Sequence, residues 1–510
     1  MPAALRNPRI WVPVILLVIF TAAAIYAAKL FAACDDTYIY LVYVRNFLDG
    51  EGLTFNGMKV QGFTSVLWVA ILVVAGWLPG DLPDNANRLS MLSGLFVLIA
   101  TYLFARAADI ARGAALGVCA VLALGGDFAF YMSNGMETVF STGMMVLTAR
   151  FLFAKDPAGT LRSPYLPLVG ALTILARPEG VIAVAAVVIY LSWKAGTRWG
   201  PVIPAVGIFA ILGPVLIGLH AYYGEWLPNT YYAKAGGAGL ANVGQGMRYL
   251  SNFFDEYSVA VVLLFLVTVL RRKVLGPVAV PVFAIILLWV INTTIQGGDN
   301  LVGLRVYLPV VPLILVLTFL GMRDVDTKLI VGTLSVIAIT QFVKYNHGHL
   351  YGSSWNKPVL KHALGWREAY EPRRAIGVHL DGELEPGSIV ALNAAGIIPY
   401  YSKLPAIDML GLNNRHIAHN GTRDRSLPYG HQAGDGKYVL EQKPAVIIFS
   451  GAGADHGGYY VSDREIQANP SFQRNYQPKK LPNGRAAYFR ILRREDLKPI
   501  RQPGKRPRRQ

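Results

Sequence analysis

Cys-Asp-Asp-Thr-Tyr-Ile-Tyr-Leu-Val-Tyr-Val-Arg-Asn-Phe-Leu, residues 34–48, is the stretch from which the fold is read. It follows an apolar run from Trp11 to Ala33, long enough to cross a bilayer, which takes about 20 residues. Asp35 and Asp36 therefore stand side by side where a membrane helix meets water. Behind them Tyr38, Leu41, Val42, Arg45 and Leu48 recur at three- and four-residue steps. That is helical spacing, and tyrosines favour the headgroup zone, so a helix lying in the interface is expected. Two adjacent carboxylates repel each other, and water, a cation or a substrate proton must stabilise them. A polar helix end beside solvent accounts for one aspartate. It accounts poorly for a pair followed by an interfacial aromatic helix.

The whole chain fits that beginning. Of 510 residues 53% are hydrophobic and only 15% charged, the composition of an integral membrane protein carrying a soluble part. No small-residue cleavage site follows the first apolar run, so it is an uncleaved span. Cys34 and Cys119 are placed too differently to pair, and no disulfide framework exists. The net charge of +17 does not point to nucleic acid. Much of it lies in short loops between spans and in the tail, where topology and anionic lipid explain it.

Eleven apolar segments are candidate spans: 11–33, 88–105, 114–130, 137–154, 165–176, 180–193, 201–222, 257–270, 275–295, 306–321 and 327–344. Basic residues mark alternate loops: Arg106 and Arg112, Lys155 and Arg162, Lys194 and Arg198, Arg271-Arg272-Lys273, and Arg323 with Lys328. With all of these in the cytoplasm, the aspartate pair, the loop 127–137, Arg177-Pro178-Glu179-Gly180, the loop 223–256 and Gly297-Gly298-Asp299 fall outside. So does everything after 345. The parity requires that 63–79, bounded by Gly62, Gly76 and Pro79, does not cross fully and is re-entrant or interfacial. In Arg177–Gly180 two charges interrupt two short apolar halves; charged irregular backbone at membrane depth is tolerated only where it lines a cavity.

From about 346 the spans stop and eight of the nine histidines appear. Arg373–Leu380 is expected as helix; 388–393, 445–450 and 487–492 are expected as strands, the first two buried. The organisation is a transmembrane region 1–345 with an outer loop 34–87, a small α/β domain 346–492, and a basic tail 493–510 that predicts disorder at an anionic surface. His416 with His419, and His347-Gly-His349, have no third ligand of fitted spacing and are read as polar loop histidines.

On the outer face the topology collects Asp35, Asp36, Arg45, Asp127, Glu137, Arg177, Glu179, Lys234, Asp299 and Arg305. Carboxylates suit a general base or a cation site, and arginine suits a phosphate or carboxylate. Together they suit displacement of an anionic leaving group by a hydroxyl. Intramembrane aspartyl proteolysis does not fit, because Gln296 stands where a Gly-x-Gly-Asp motif needs glycine. No phosphate-binding G-x-x-x-x-G-K-[ST] loop is present. A lipid-linked-sugar transporter or flippase would place its polar site near the midplane between repeated halves; here the charges gather at one face and no repeat is visible.

The residues in order are Asp35-Asp36, Asn87-Arg-Leu89, Asn134-Gly-Met-Glu137, Ala176-Arg-Pro-Glu-Gly180, Tyr223-Gly-Glu-Trp-Leu-Pro-Asn-Thr-Tyr-Tyr-Ala-Lys234, Gly297-Gly-Asp299 with Arg305, Ala394-Ala-Gly396 and Asp408-Met-Leu-Gly-Leu412. Over nearly the whole chain this resembles the membrane glycosyltransferases of the GT-C type, most of all the branch with the terminal arabinofuranosyltransferases of mycobacterial arabinan synthesis. The C-terminal domain is shorter than theirs. The resemblance implies a bacterial inner-membrane, multi-pass enzyme with an extracytoplasmic C-terminal domain. It implies a polyprenyl-phosphate-sugar donor, with arabinofuranose the sugar of that branch, and a glycan, protein or lipid acceptor; a protein O-glycosyltransferase of the same superfamily is the neighbouring alternative. It makes Asp35 or Asp36 catalytic and Arg177, Arg305 or Lys234 the holder of the donor phosphate. Arg45, Glu137, Glu179, Asn229, Tyr231, Tyr232 and Asp299 become candidates to touch substrate, and a divalent cation is left open. Adjacent helical residues point about 100° apart, so one aspartate is the base, with Asp36 favoured. The other binds a cation, positions a sugar hydroxyl or caps the helix 37–48.

Overall fold

A computed structural model describes residues 7–235, 242–301, 303–347, 359–450 and 458–491. His349 and the basic tail 493–510 lie outside the described residues. The first span is helix Pro8–Lys29, opened by the Asn7 side chain, which accepts from the Arg9 N–H, as N-cap residues do. Each of the eleven apolar segments falls on helix. Among the described residues five helices are long and apolar enough to cross a bilayer by themselves, and two bent pairs, each counted as one span, raise the number to seven. The bends, 71° between Arg112–Leu124 and Gly126–Met132 and 81° between Val243–Glu256 and Ser258–Leu270, each sit at a single intervening residue. The chain is a multi-pass helical membrane protein.

The segment 63–79 forms only the helix Val66–Ala75. At 1.5 Å per residue it extends about 15 Å, half a hydrocarbon core. The halves around Arg177 make a short hairpin, Tyr165–Ala176 and Val181–Lys194. At one end Arg177 Nη1 meets Glu137 Oε1 at 3.1 Å, just before helix Thr138–Ala149. At the other, Lys194 Nζ donates to the Ala154 carbonyl at 3.4 Å, just past that helix's 3₁₀ extension Arg150–Phe153. Two of the basic loops also meet each other, through Arg271 and Asp324 at 3.7 Å.

The C-terminal region is built on a five-stranded mixed sheet. Its strands are β1 (Val390–Leu392), β2 (Ala406–Asp408), β5 (Val446–Ile448), β6 (Tyr476–Lys480) and β7 (Ala486–Arg490), in the order β2-β1-β5-β7-β6. β1 is parallel to β2 and β5, and β7 runs antiparallel between β5 and β6. A separate pair, β3 (Thr422–Arg423) and β4 (Ala433–Gly434), lies between the β2 and β5 segments of the chain. Alternate residues face opposite ways on a strand. Val390, Leu392, Val446 and Ile448 pack into one cluster, while Ala391, Ile407 and Ile447 pack into another with Val439, Phe449 and Ile466. Both faces are covered, which explains the continuous apolar reading of β1 and β5.

The first cluster is completed by the outer loop that follows the first span. Tyr38, Tyr43, Phe55, Phe63 and Trp68 belong to it, and the Tyr43 and Phe63 rings meet edge to face at 5.0 Å. The helix Asp35–Leu48, expected to lie in the interface with its tyrosines at headgroup level, is buried along most of its length by the protein itself. Its tyrosines serve a core instead. The Tyr43 hydroxyl adds polar register: it accepts from Gly62 N at 2.9 Å and lies 3.0 Å from Asn413 Oδ1.

Arg45 is a second correction. Its guanidinium bonds the Tyr400 carbonyl and, at 2.6 Å, Asn56 Oδ1, and it lies over the Tyr400 ring at 5.3 Å. It stands about 13 Å along the helix from Asp36, at 1.5 Å per residue. Arg45 clamps the outer loop to the C-terminal domain.

If residues after 345 are outside, a cysteine placed at the exposed Ser426→Cys position reacts with a membrane-impermeant thiol reagent in intact spheroplasts. Labelling only after lysis would invert the topology and with it the grouping of the outer carboxylates.

Candidate active site

The two aspartates are divided between two tasks. Asp35 turns toward the C-terminal domain. Its carboxylate accepts from Gly396 N and Ile397 N, both at 3.0 Å, and Arg373 Nη1 lies 3.6 Å away. It thus caps the short helix Ile397–Ser402 rather than its own; Cys34, at the start of Asp35–Leu48, makes no side-chain cap. Gly396 is required there, because a Cβ would overlap the Asp35 carbonyl oxygen.

Asp36 turns the other way. Among the described residues its ion-pair partner is Arg305, with Nη2 at 3.9 Å, and the Asp36 side chain is 37% exposed. Arg305 is buried and held chiefly by Asp299, which it grips through Nε and, at 3.2 Å, through Nη2; Nη1 rests on Met136 Sδ at 3.4 Å. Burial works to raise the Asp299 carboxyl, but Arg305 and then Lys234 overcome it and hold it below the ordinary value. At Asp36 the balance is reversed. Desolvation raises its carboxyl, with Arg305 and Lys234 opposing. A carboxylate with a raised pKa is suited to take a proton.

Lys234 ends helix Asn229–Ala235 and lies within electrostatic reach of Asp299, Arg305, Asp36 and Arg177. Burial lowers its pKa. Among the described residues it has no ion pair within 4 Å, and its Nζ stands 6.0 Å from the Tyr429 ring. Arg177, by contrast, is already committed: Nη1 to Glu137 Oε1 at 3.1 Å and Nε to Glu179 Oε2 at 3.4 Å. Glu137 is 3% exposed, and its Oε2 has no hydrogen-bond partner among the described residues.

The other candidates are placed differently. Asn229 donates to the carbonyls of Gly411 and Leu412 at 2.8 and 2.9 Å and is buried, so it fastens the loop 223–234 to the turn after β2. Tyr231 is half exposed. Tyr232 lies 4.3 Å from the His419 ring, and its carbonyl accepts from Arg423. These three precede Lys234 in sequence without joining the cluster of charges. Among the described residues no three His, Cys, Asp or Glu side chains converge as a metal site. Between Asp36 and Asp299, where a divalent cation is first sought, Arg305 supplies the positive charge.

His431 is a residue that sequence reasoning passed over. It comes from the C-terminal domain, yet Asn300 Nδ2 lies 2.5 Å from its Nδ1, immediately beside Asp299. Lys234 and Asp299 are both within electrostatic reach of its ring. Its only sequence signal is membership of the histidine-rich region after residue 346.

A domain of unknown function, DUF8728, matches residues 363–494. The terminal β-(1→2)-arabinofuranosyltransferase of Mycobacterium tuberculosis is 29% identical over 286 residues, 48% of this chain and 43% of that protein. The chain thus aligns with less than half the length of that relative. ArnT of Cupriavidus metallidurans bound to undecaprenyl phosphate superposes with TM-score 0.56 at 13% identity, covering 78% of this chain and 85% of ArnT. Its apo state gives 0.54 at 12% identity with the same coverage. The expected GT-C-like fold is the one this chain has.

The Arg177 geometry has a measurable consequence. Removing one member of a buried ion pair leaves a charge uncompensated and costs about 3–5 kcal/mol. Arg177→Ala lowers the melting temperature in detergent, and a second change, Glu137→Gln, restores part of the loss. An unaltered melting temperature with weakened phosphate binding would instead make Arg177 a ligand-holding residue.

Proposed function

We propose that this chain is a polytopic membrane glycosyltransferase. It moves a sugar from a polyprenyl-phosphate donor to an acceptor hydroxyl on the extracytoplasmic side of a bacterial inner membrane. The observation that carries the reading is the division of labour at the aspartate pair: one carboxylate is consumed in holding the fold, and its neighbour is left with a raised pKa, partly open, beside Arg305 and Lys234. Support comes from the ArnT fold, known with undecaprenyl phosphate bound. The partial match to an arabinofuranosyltransferase makes a pentofuranose the first sugar to try.

In this reading the lipid phosphate enters from the membrane side and its charge is met by Lys234, since Arg177 and Arg305 are already paired with carboxylates. Asp36 accepts the proton of the acceptor hydroxyl as the new C1–O bond forms. The electron pair of the breaking C1–O bond leaves with the phosphate. Positive charge that develops on the sugar ring in such a transition state is stabilised by the same carboxylate. The acceptor, whether glycan, protein or lipid, approaches from the C-terminal domain.

The two aspartates separate under substitution. The Asp36 carboxyl is raised above its value in the unfolded chain. The ionised form therefore costs folding free energy above the folded pKa, and this cost is absent below the unfolded value. Asp36→Asn removes the cost, so its melting temperature at pH 8 equals or exceeds that of the native chain. Its sugar transfer falls about 10²–10⁴-fold, the range for a lost general base. Asp35→Asn lowers the melting temperature by loosening the Gly396–Ile397 cap. An Asp36→Asn enzyme retaining more than about a tenth of turnover, a loss under about 1.4 kcal/mol, moves the catalytic centre to Glu137 or Asp299.

A further inference from the structure

His431 is held between the C-terminal domain and the loop that carries Asp299. Its ring nitrogens lie 2.5 and 3.4 Å from Asn300 Nδ2, and Nδ1 is 3.4 Å from the Tyr429 carbonyl. The ring stacks on Tyr460 at 5.6 Å. The segment leading to it is clamped onto the membrane region: Gln245 accepts from Tyr429 N at 2.9 Å and donates to the Leu427 carbonyl at 3.1 Å. Gly430, at φ +80°, lets the backbone pass over the Lys234 side chain, which a Cβ there would touch. The C-terminal domain thus brings an imidazole within electrostatic reach of Lys234, which has no ion pair among the described residues.

The chemistry of the proposed reaction gives that imidazole a task. The donor is a phosphodiester carrying one negative charge. Breaking the bond from C1 to the phosphate oxygen releases a phosphomonoester, whose second ionisation lies near pH 6, so it carries close to two charges at neutral pH. The charge at the leaving group therefore grows during the reaction, while Lys234 supplies one fixed positive charge. We propose that His431 is the hydrogen-bond and charge partner of the departing lipid phosphate: the complex with the monoester takes up one proton from solvent, held between imidazole and phosphate, and the complex with the diester takes up none. This rests on the glycosyltransferase reading above and deepens it.

The groups that face His431 agree with that role. Lys234 comes from helix Asn229–Ala235, Asp299 and Asn300 from the loop after helix Ala279–Gln296, Tyr429 from its own segment and Tyr460 from the start of helix Val461–Ala468. Burial, with Lys234, keeps the imidazole below its usual pKa. The ring is thus neutral before the second phosphate charge appears. Interactions stronger in the transition state, where negative charge is already growing on the leaving phosphate, than in the bound donor are the ones that speed the chemical step. His431 is accordingly a residue of the leaving-group site.

The test is binding of two lipids to the full chain in detergent: a polyprenyl phosphate and its methyl phosphodiester, each from pH 6 to 8.5. In the native chain the monoester weakens as pH rises above 7, approaching about tenfold per unit for one proton taken up on binding, while the diester stays flat. His431→Gln keeps a hydrogen-bonding side chain but does not titrate; it loses the pH dependence for the monoester and leaves the diester unchanged. The native chain alone decides part of the matter, since equal pH profiles for the two lipids overturn the proposal without any variant. A His431→Gln profile equal to the native one, at an unchanged melting temperature, overturns it as well. If the native chain binds neither lipid, the glycosyltransferase reading fails, and this inference with it. Native binding of both with an unaffected variant removes only the role of His431.

Discussion

The carboxylate of Asp35, bonded to two backbone N–H groups at Gly396 and Ile397, is the constraint on which the rest of the structure depends. Hydrogen bonds to a charged acceptor contribute about 1.5–3 kcal/mol each, and these two join residues 361 and 362 positions apart in the chain. They fix where the C-terminal domain sits on the outer loop. With that docking set, one face of the sheet closes over Tyr38, Tyr43 and Phe63, and the segment 429–431 is laid against Lys234. Asp36, one residue on and about 100° around the helix, is thereby directed at Arg305.

The cluster behind Asp36 is a ledger of opposite charges with two positions left open. Arg177 is shared by Glu137 and Glu179, and Arg305 is held by Asp299. Burying charges is tolerable only when they are paired, and these pairs meet that condition. Asp36 at its longer 3.9 Å separation, and Lys234 with no ion pair among the described residues, are the two members whose electrostatics a substrate would complete. A phosphate beside Lys234 and a hydroxyl beside Asp36 have complementary charge and proton demand.

Much of this was legible in the sequence because membranes simplify it. Length and hydropathy located the apolar segments. The period of the helix predicts that Asp35 and Asp36 point different ways, and their carboxylates do meet different partners. The strands of the sheet were partly hidden. Tyr476–Lys480 is a polar edge strand containing Pro478, which carries no apolar alternation, and Ala406–Asp408 is three residues long behind a proline. Arg45 was misread because its partners, Tyr400 and Asn56, are brought to it by folding, and an arginine near a membrane looks the same whether it clamps a loop or a ligand. His431 was missed for the same reason. Its neighbour Asn300 lies 131 residues away, and no local motif joins them.

The central claim is that Asp36 and Lys234 together receive a lipid-linked sugar phosphate. The most direct measurement is mass spectrometry of lipids released from the gently purified protein. The account predicts a polyprenyl phosphate or its glycosyl ester, enriched over the bulk membrane and lost from a Lys234→Ala preparation that still folds. Recovery of bulk phospholipids alone, identical in both preparations, would contradict it.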